Sequence, residues 1–261
     1  MSLKPKKSLG QNFLLDKNII NKIIQAANIE SSDVVLEIGP GTGNLTEFIV
    51  SQKPKKIYLV EKDENLANSL EKQYLNKISI IKKDILKITN EFYSGKRFLI
   101  LGNLPYNIST KILSEWCLNK RLDVSKMVLM FQKEVAERIL ANVNSKNYSR
   151  ITILSKWKFN IKKITDVKPN SFFPKPKVHS TVLEFVSKRK FHEIKEPKNL
   201  EKITKIFFSQ RRKMIKKPIN ILFKNFQFDY NKFDIKPSDR PQNIDINKYL
   251  EIVNEYETLK S

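Results

Sequence analysis

Two short stretches of the sequence combine residue types that can do chemistry. The first is Gly102-Asn103-Leu104-Pro105-Tyr106-Asn107-Ile108-Ser109, directly after the apolar run Phe98-Leu99-Ile100-Leu101. The Asn103 side-chain oxygen and the Leu104 backbone carbonyl can each accept a hydrogen from an exocyclic amine. Such an amine is a poor nucleophile because its lone pair is delocalised into the ring. Holding both hydrogens out of the ring plane localises that pair toward an electrophile, by positioning and electrostatics and with no strong base. Pro105 lacks an N–H and stiffens the turn, and Tyr106 offers a face on which an extruded base can stack. The second stretch is Glu37-Ile38-Gly39-Pro40-Gly41-Thr42-Gly43, which holds three of the six glycines in the chain. Glycines concentrated between a strand and a helix mean a tight turn and close approach of backbone to a ligand, and the helix N-terminus adds free N–H groups.

The glycine stretch has no Gly-Lys-Ser/Thr, so it is not a P-loop. Gly43 falls one position short of the third glycine of a dinucleotide fingerprint, and Pro40 sits inside the turn. The pattern E-x-G-x-G-x-G instead resembles motif I of the S-adenosylmethionine methyltransferases. Glu61 then ends a second strand, where an acid can accept from both ribose hydroxyls. Asp84 follows a third, where methyltransferases hold the adenine amino group. Asn103 to Tyr106 resembles the N/D-P-P-Y/F motif of amino-methylating enzymes, which makes an adenine N6 the amine and a sulfonium methyl the electrophile.

These residues need a scaffold. Asp16 can cap a helix with the apolar stripe Ile19, Ile20, Ile23, Ile24 and Ala27. Val34–Ile38, Ile57–Val60, Ile78–Ile81, Phe98–Leu101 and Met127–Phe131 read as short buried strands, with helices over Leu45–Val50 and Leu66–Tyr74 between them. That alternation predicts βαβ units and a parallel sheet, an α/β doubly wound fold; the resemblance of its two motifs to those of methyltransferases implies that this is a Rossmann-like S-adenosylmethionine methyltransferase domain. Tyr148–Trp157 fits helix or strand, with the Ile151 and Leu154 spacing leaning helical, and Phe159–Val167 and Val178–Val186 fit strands around a loop with three prolines. Lys188 to Pro197 reads as a linker. Beyond it Ile203, Ile206, Phe207, Gln210 and Met214 recur at helical spacing. The expected domains are 1–187, binding the cofactor, and 188–261, a small all-α unit that positions RNA.

The resemblance extends to one family. Gly10-Gln11-Asn12-Phe13-Leu14, Glu37–Gly43, Asn103–Thr110, Phe131–Val135, Phe172–Val178 and Phe208–Lys213 are similar to stretches of the KsgA/Dim1 family of rRNA adenine N6,N6-dimethyltransferases. The resemblance implies that Asn12 and Leu14 close over S-adenosylmethionine, with Gly39, Gly41, Glu61, Asp84 and Asn103 completing its site. It implies that Asn103, Leu104, Pro105 and Tyr106 grip the target base and that Phe172, in F-x-P-x-P-K-V, faces Tyr106 across it. Phe173 occupies the x position, so which ring stacks is left open. Lys133, Arg211, Arg212 and Lys213 fall on the RNA side. The expected reaction is dimethylation of N6 on two adjacent adenosines in the 3′-terminal hairpin of 16S rRNA, within the small subunit or its precursor. After Lys213, Met214-Ile215-Lys216-Lys217-Pro218 departs from the family's Thr-Leu-like continuation, and Arg240-Pro241-Gln242 is looser than its usual R-x-E.

Composition agrees with such a substrate. The net charge is +22, which favours a polyanionic partner, although cations that include only eight Arg also fit a compositional bias toward Lys. Lys202–Lys224 carries eight basic residues and no acid, and in Lys146–Lys177 only Asp166 interrupts the basic run. No zinc-finger or RRM signature occurs, so shape and a presented loop are the expected RNA features. Cys117 is the only cysteine, so neither a disulfide framework nor a cysteine zinc site is expected, and no metal. The start carries Lys4, Lys6 and Lys7 with no apolar stretch after them, unlike a signal peptide, and no run reaches the ~20 apolar residues of a membrane span. A cytoplasmic monomer is expected. Three rivals are an Erm-type 23S rRNA adenine methyltransferase, a non-catalytic RNA-binding factor on the same fold, and a NAD-linked enzyme.

Overall fold

The computed structural model describes residues 5, 6, 9–224 and 226–260. Lys4 and Lys7 of the basic start therefore lie outside the described residues. The chain divides into two compact units, one made of 1–113, 120–136 and 160–187, the other of 114–119, 137–159 and 188–261.

The first unit is built on a seven-stranded sheet. Its strands are β2 (Val34–Ile38), β3 (Lys56–Val60), β4 (Ser79–Ile81), β5 (Arg97–Asn103), β6 (Asp123–Gln132), β7 (Phe159–Val167) and β9 (Ser180–Ser187), in the order β4-β3-β2-β5-β6-β9-β7. The first five pair in parallel and β9 runs antiparallel to β6. Central strands covered on both faces must be apolar throughout. Val35, Leu36 and Ile38 of β2 and Phe98 to Leu101 of β5 are accordingly buried. Helix α1 (Lys17–Ala27) starts at Asp16, whose carboxylate accepts the Asn18 and Ile19 N–H groups, and it buries Ile19, Ile20, Ile23 and Ala27. Helices α2 (Asn44–Ser51) and α3 (Glu64–Gln73) follow β2 and β3. A two-residue strand β1 (Phe13–Leu14) pairs antiparallel with β8 (Phe172–Phe173), and the Leu15 N–H donates to the Ser171 carbonyl at 2.8 Å.

The βαβ pattern is the expected one, with two differences, and the segment that fitted helix or strand is resolved. The sheet is mixed rather than all parallel, because β9 enters between β6 and β7. Helix α5 (Ser109–Leu118) follows the Asn103 turn; it was not foreseen because Ile112, Leu113, Trp116 and Cys117 are buried without a clean polar face opposite. The Tyr148–Trp157 segment is helix α7 (Arg150–Lys158), entered at Ser149, whose N–H donates to the Thr152 hydroxyl.

In the second unit, α7, α8 (Pro197–Ser209), α9 (Lys216–Leu222) and α10 (Ile246–Thr258) supply a core that includes Leu200, Ile203, Phe207, Tyr249, Ile252 and Val253. Phe207 and Tyr249 meet edge to face at 5.3 Å. The buried Glu257 carboxylate accepts the Lys195 and Glu196 N–H groups and the Asn199 amide, each at 2.9 Å, tying α10 to the start of α8. Segments 114–119 and 137–159 belong to this unit, where the sequence reading had them in a domain ending at 187. The helix expected to run through Met214 ends at Ser209, where Gln210 leaves helical geometry (φ −126°, ψ 49°). Met214 is left exposed.

Candidate active site

The strand order reverses between β2 and β5, since the chain adds β3 and β4 on one side before crossing to β5 and β6 on the other. In open α/β sheets a crevice forms beyond the strand C-termini at this point. Ile38 is paired with Gly102 across the two strands, so the glycine bend and the Asn103 turn leave the sheet side by side. A side chain added at Gly39 would come within 3.8 Å of the Asn103 carbonyl oxygen.

A cavity of about 170 Å³ opens there, lined among others by Asn12, Leu14, Gly39, Gly41, Glu61, Asp84, Asn103, Leu104, Pro105 and Tyr106. The bend is glycine-dependent at two points. Gly41 has φ +59° and a Cβ there would sit 2.7 Å from the Phe13 ring; Gly43, the N-cap of α2, has φ +84° and a Cβ there would sit 2.6 Å from the Leu70 side chain. The N-terminal strap crosses the same mouth. The Asn12 carbonyl accepts the Asn103 amide at 2.8 Å, and the Leu14 carbonyl accepts the Asn44 amide at 2.8 Å.

Asn103 is the most informative residue. Its Nδ2 is spent on the strap, whereas its Oδ1 is buried and has no hydrogen-bond partner. An acceptor kept dry and unpaired is costly, so its place on a cavity wall marks it for a donor brought by a ligand.

The acids are set by their surroundings. Glu61 accepts the Gly41 N–H (3.1 Å) and the Asp63 N–H (2.8 Å); burial raises its pKa despite these bonds. Asp84 opposes its own burial with the Leu86 N–H and the Lys62 ammonium at 3.1 Å, and its pKa is lowered. Asp63 joins the strap to β3: it accepts from Gln11 at 3.1 Å and pairs with Lys6 at 2.9 Å. This latch was missed in the sequence, since nothing in Lys6, Gln11 or Asp63 alone signals the contact.

Glu37 is 2% exposed and accepts the Thr46 hydroxyl at 2.7 Å. Burial pushes its pKa up to about 8 from 4.5, with the Thr46 bond lowering it and nearby Glu61 adding to the rise. The folded chain therefore keeps a proton that the unfolded chain releases. The resulting stability is fully present below pH 4.5 and is lost as pH climbs toward 8, by roughly 4 kcal/mol. Glu37→Gln should flatten this slope: denaturant unfolding at pH 5 and pH 8 should show the variant gaining on the wild-type chain at the higher pH. Equal pH slopes for the two proteins would refute the assignment.

Other expected residues do not line the cavity, apart from Tyr106. Phe172, expected to face Tyr106 across a base, is 4% exposed and packs in the apolar cluster with Leu14 and Val182. The alternation of β8 turns its neighbour Phe173 outward at 56% exposure, so the ring available at the surface is Phe173. Tyr106 shares a 2.6 Å hydrogen bond with Ser180. Lys133 begins α6 (Lys133–Leu140) with its ammonium-bearing side chain exposed. In the second unit Arg211, expected to meet RNA, has its guanidinium on the Ser145 and Lys146 carbonyls, whereas Arg212 and Lys213 are exposed. Among the described residues no group of three His, Cys, Asp or Glu side chains could hold a metal ion, and no helix is long and apolar enough to cross a membrane.

Known proteins resemble this chain in sequence and fold. The profile of the family described as "Ribosomal RNA adenine dimethylase" matches residues 2–258. A Pelagibacter ubique (strain HTCC1062) protein named ribosomal RNA small subunit methyltransferase A is 52% identical over 262 residues, with 100% of both chains covered. A protein of the same name from Malacoplasma penetrans (strain HF-2) is 40% identical, covering 94% of this chain and 90% of its own. The crystal structure of a dimethyladenosine transferase from Plasmodium falciparum superposes with a TM-score of 0.81 at 30% identity, over 94% of this chain and 98% of the other. The 23S rRNA methyltransferase ErmE shares the fold, with a TM-score of 0.67 at 21% identity over 95% and 100% of the two chains.

Proposed function

The chain belongs to the ribosomal RNA adenine dimethylase family, whose methyl donor is S-adenosylmethionine, and from that premise we propose that it dimethylates N6 of two adjacent adenosines in the 3′-terminal hairpin of 16S rRNA. The substrate in this reading is the small ribosomal subunit or its precursor, and the enzyme is a cytoplasmic monomer.

One observation carries the reading of the site: the unpartnered Asn103 Oδ1, buried on the wall of the cavity that the glycine bend also lines. The donor set fits S-adenosylmethionine. The bend at Gly39 and Gly41 lets backbone approach closely, Glu61 offers carboxylate oxygens to ribose hydroxyls, Asp84 offers one to an amino group, and Asn12 and Leu14 close the mouth. When bound, the cofactor supplies an electrophilic sulfonium methyl. The residues of this chain prepare the nucleophile. In the first transfer Asn103 Oδ1 and the Leu104 carbonyl accept the two N6 hydrogens, and in the second the one that remains, which turns the nitrogen lone pair out of the purine plane; each methyl gained displaces one N6 proton to solvent. Tyr106 presents a face to the extruded base, Pro105 holds the turn, and the exposed Phe173 covers the base in place of the buried Phe172. Lys133, Arg212 and Lys213 contact phosphates, with Arg211 acting indirectly by holding the 145–146 loop.

Labelled methyl transfer to purified small and large ribosomal subunits in parallel, followed by nucleoside mass spectrometry, tests the proposal. Dimethyladenosine at the small-subunit 3′ end is the expected product. Label confined to large-subunit RNA would replace this reading with the Erm-type one.

A further inference from the structure

Stacking on a base needs only an aromatic face, which phenylalanine would supply. Position 106 is a tyrosine whose hydroxyl is already committed. Its oxygen lies 2.6 Å from Ser180 Oγ, in a bond that either group can donate. Ser180 is fully buried and opens β9, paired with Gln132 at the last rung of the β6–β9 ladder. The residue before it is fixed too, since the His179 carbonyl accepts the Lys133 N–H at 2.9 Å. Tyr106 itself sits in a loop between β5 and α5, where the Ile108 N–H meets the Pro105 carbonyl at 3.1 Å and the Ser109 hydroxyl meets the Tyr106 carbonyl at 3.2 Å. The ring is thus held at both ends, by its backbone and by its hydroxyl, and the second anchor belongs to the sheet.

The geometry points to Ser180 as a positioning residue that fixes the tilt of the Tyr106 ring through the shared hydroxyl bond, and with it the plane in which a stacked adenine meets Asn103. The inference rests on the reading of 103–106 as the base grip. Displacements of about 1 Å at a reacting centre cost up to 10²-fold in rate, so an anchor of this kind matters for turnover more than for folding. Burial raises the pKa of the Tyr106 hydroxyl, which the Ser180 bond only partly opposes. The hydroxyl is therefore suited to hold the ring and not to exchange protons with a substrate.

Four variants test this: Ser180→Ala, Tyr106→Phe, the double variant, and Tyr106→Ala. The readouts are single-turnover methylation of small subunits, S-adenosylhomocysteine affinity by calorimetry, and melting temperature. Ser180→Ala and Tyr106→Phe should each slow methyl transfer about tenfold, within the range of positioning effects. The double variant should be no slower than the slower single, because both changes remove one bond. Product affinity should not change. Multiplied effects in the double variant, or wild-type rates in both singles while Tyr106→Ala is slow, would overturn the anchoring role alone. A rate loss in Ser180→Ala that vanishes well below its melting temperature would also overturn it. Wild-type turnover by Tyr106→Ala would instead bring down the base grip itself. Should Ser180→Ala not fold, Tyr106→Phe, which keeps the ring and leaves the backbone untouched, still decides the matter.

Discussion

Asn103→Ala should slow methyl transfer by about 10²–10³-fold, the scale seen when one preorganised polar group is removed from the charge-developing atom of a reaction. The physical reason lies in the two ends of the side chain. Nδ2 secures the strap through the Asn12 carbonyl, while Oδ1 is left dry and unpartnered on the cavity wall. Only the second is free to act on substrate, and alanine deletes it without filling the space. Asn103→Asp separates the two duties: it retains an acceptor but loses the bond to the strap, so it should keep more turnover than alanine and bind cofactor less tightly. Small-subunit affinity should stay near wild type in both, because phosphate contacts dominate RNA binding. Single-turnover rates set against RNA and cofactor affinities check this; a loss seen only in RNA affinity would contradict it.

The two adjacent phenylalanines should fail in opposite ways. Phe172 is 4% exposed among Leu14, Val182 and the α1 isoleucines, so Phe172→Ala leaves a cavity and should cost about 3–5 kcal/mol of stability. Phe173, at 56% exposure, has little packing to lose. Phe173→Ala should leave unfolding within about 0.5 kcal/mol of wild type and lower turnover about tenfold, through loss of a stacking face worth about 1–3 kcal/mol per base. Denaturant unfolding beside single-turnover assays would resolve the pair. Equal stability losses at both positions, or full turnover in Phe173→Ala, would contradict the assignment of the outward ring.

Much of this architecture was readable before any coordinates, for reasons specific to its parts. Buried parallel strands must be continuously apolar, so Val34–Ile38 and Phe98–Leu101 declared themselves. Glycines needed at positive φ cluster where the bend is, and the strand-end acids Glu61 and Asp84 fall on the wall of the cavity. What could not be read depends on contacts distant in sequence. Ser180 lies 74 residues from Tyr106, and the Gln11–Asp63 bond spans 52; no local pattern encodes either. Alternation in a two-residue strand such as β8 is too brief to tell which of Phe172 and Phe173 faces inward. The antiparallel entry of β9 between β6 and β7 is a choice of order, and periodicity reports only that strands exist. Arg211 looked like a phosphate ligand because a basic run says nothing about which cation is drawn to a backbone carbonyl.

A structure of the enzyme captured on the small subunit with S-adenosylhomocysteine measures the geometry itself. The target adenine should be out of its stack, its N6 about 3 Å from both Asn103 Oδ1 and the Leu104 carbonyl, with the homocysteine sulfur on the far side of that nitrogen beside Gly39. An adenine still stacked in the RNA, or seated in the cavity with its amine turned away from Asn103, would contradict the account.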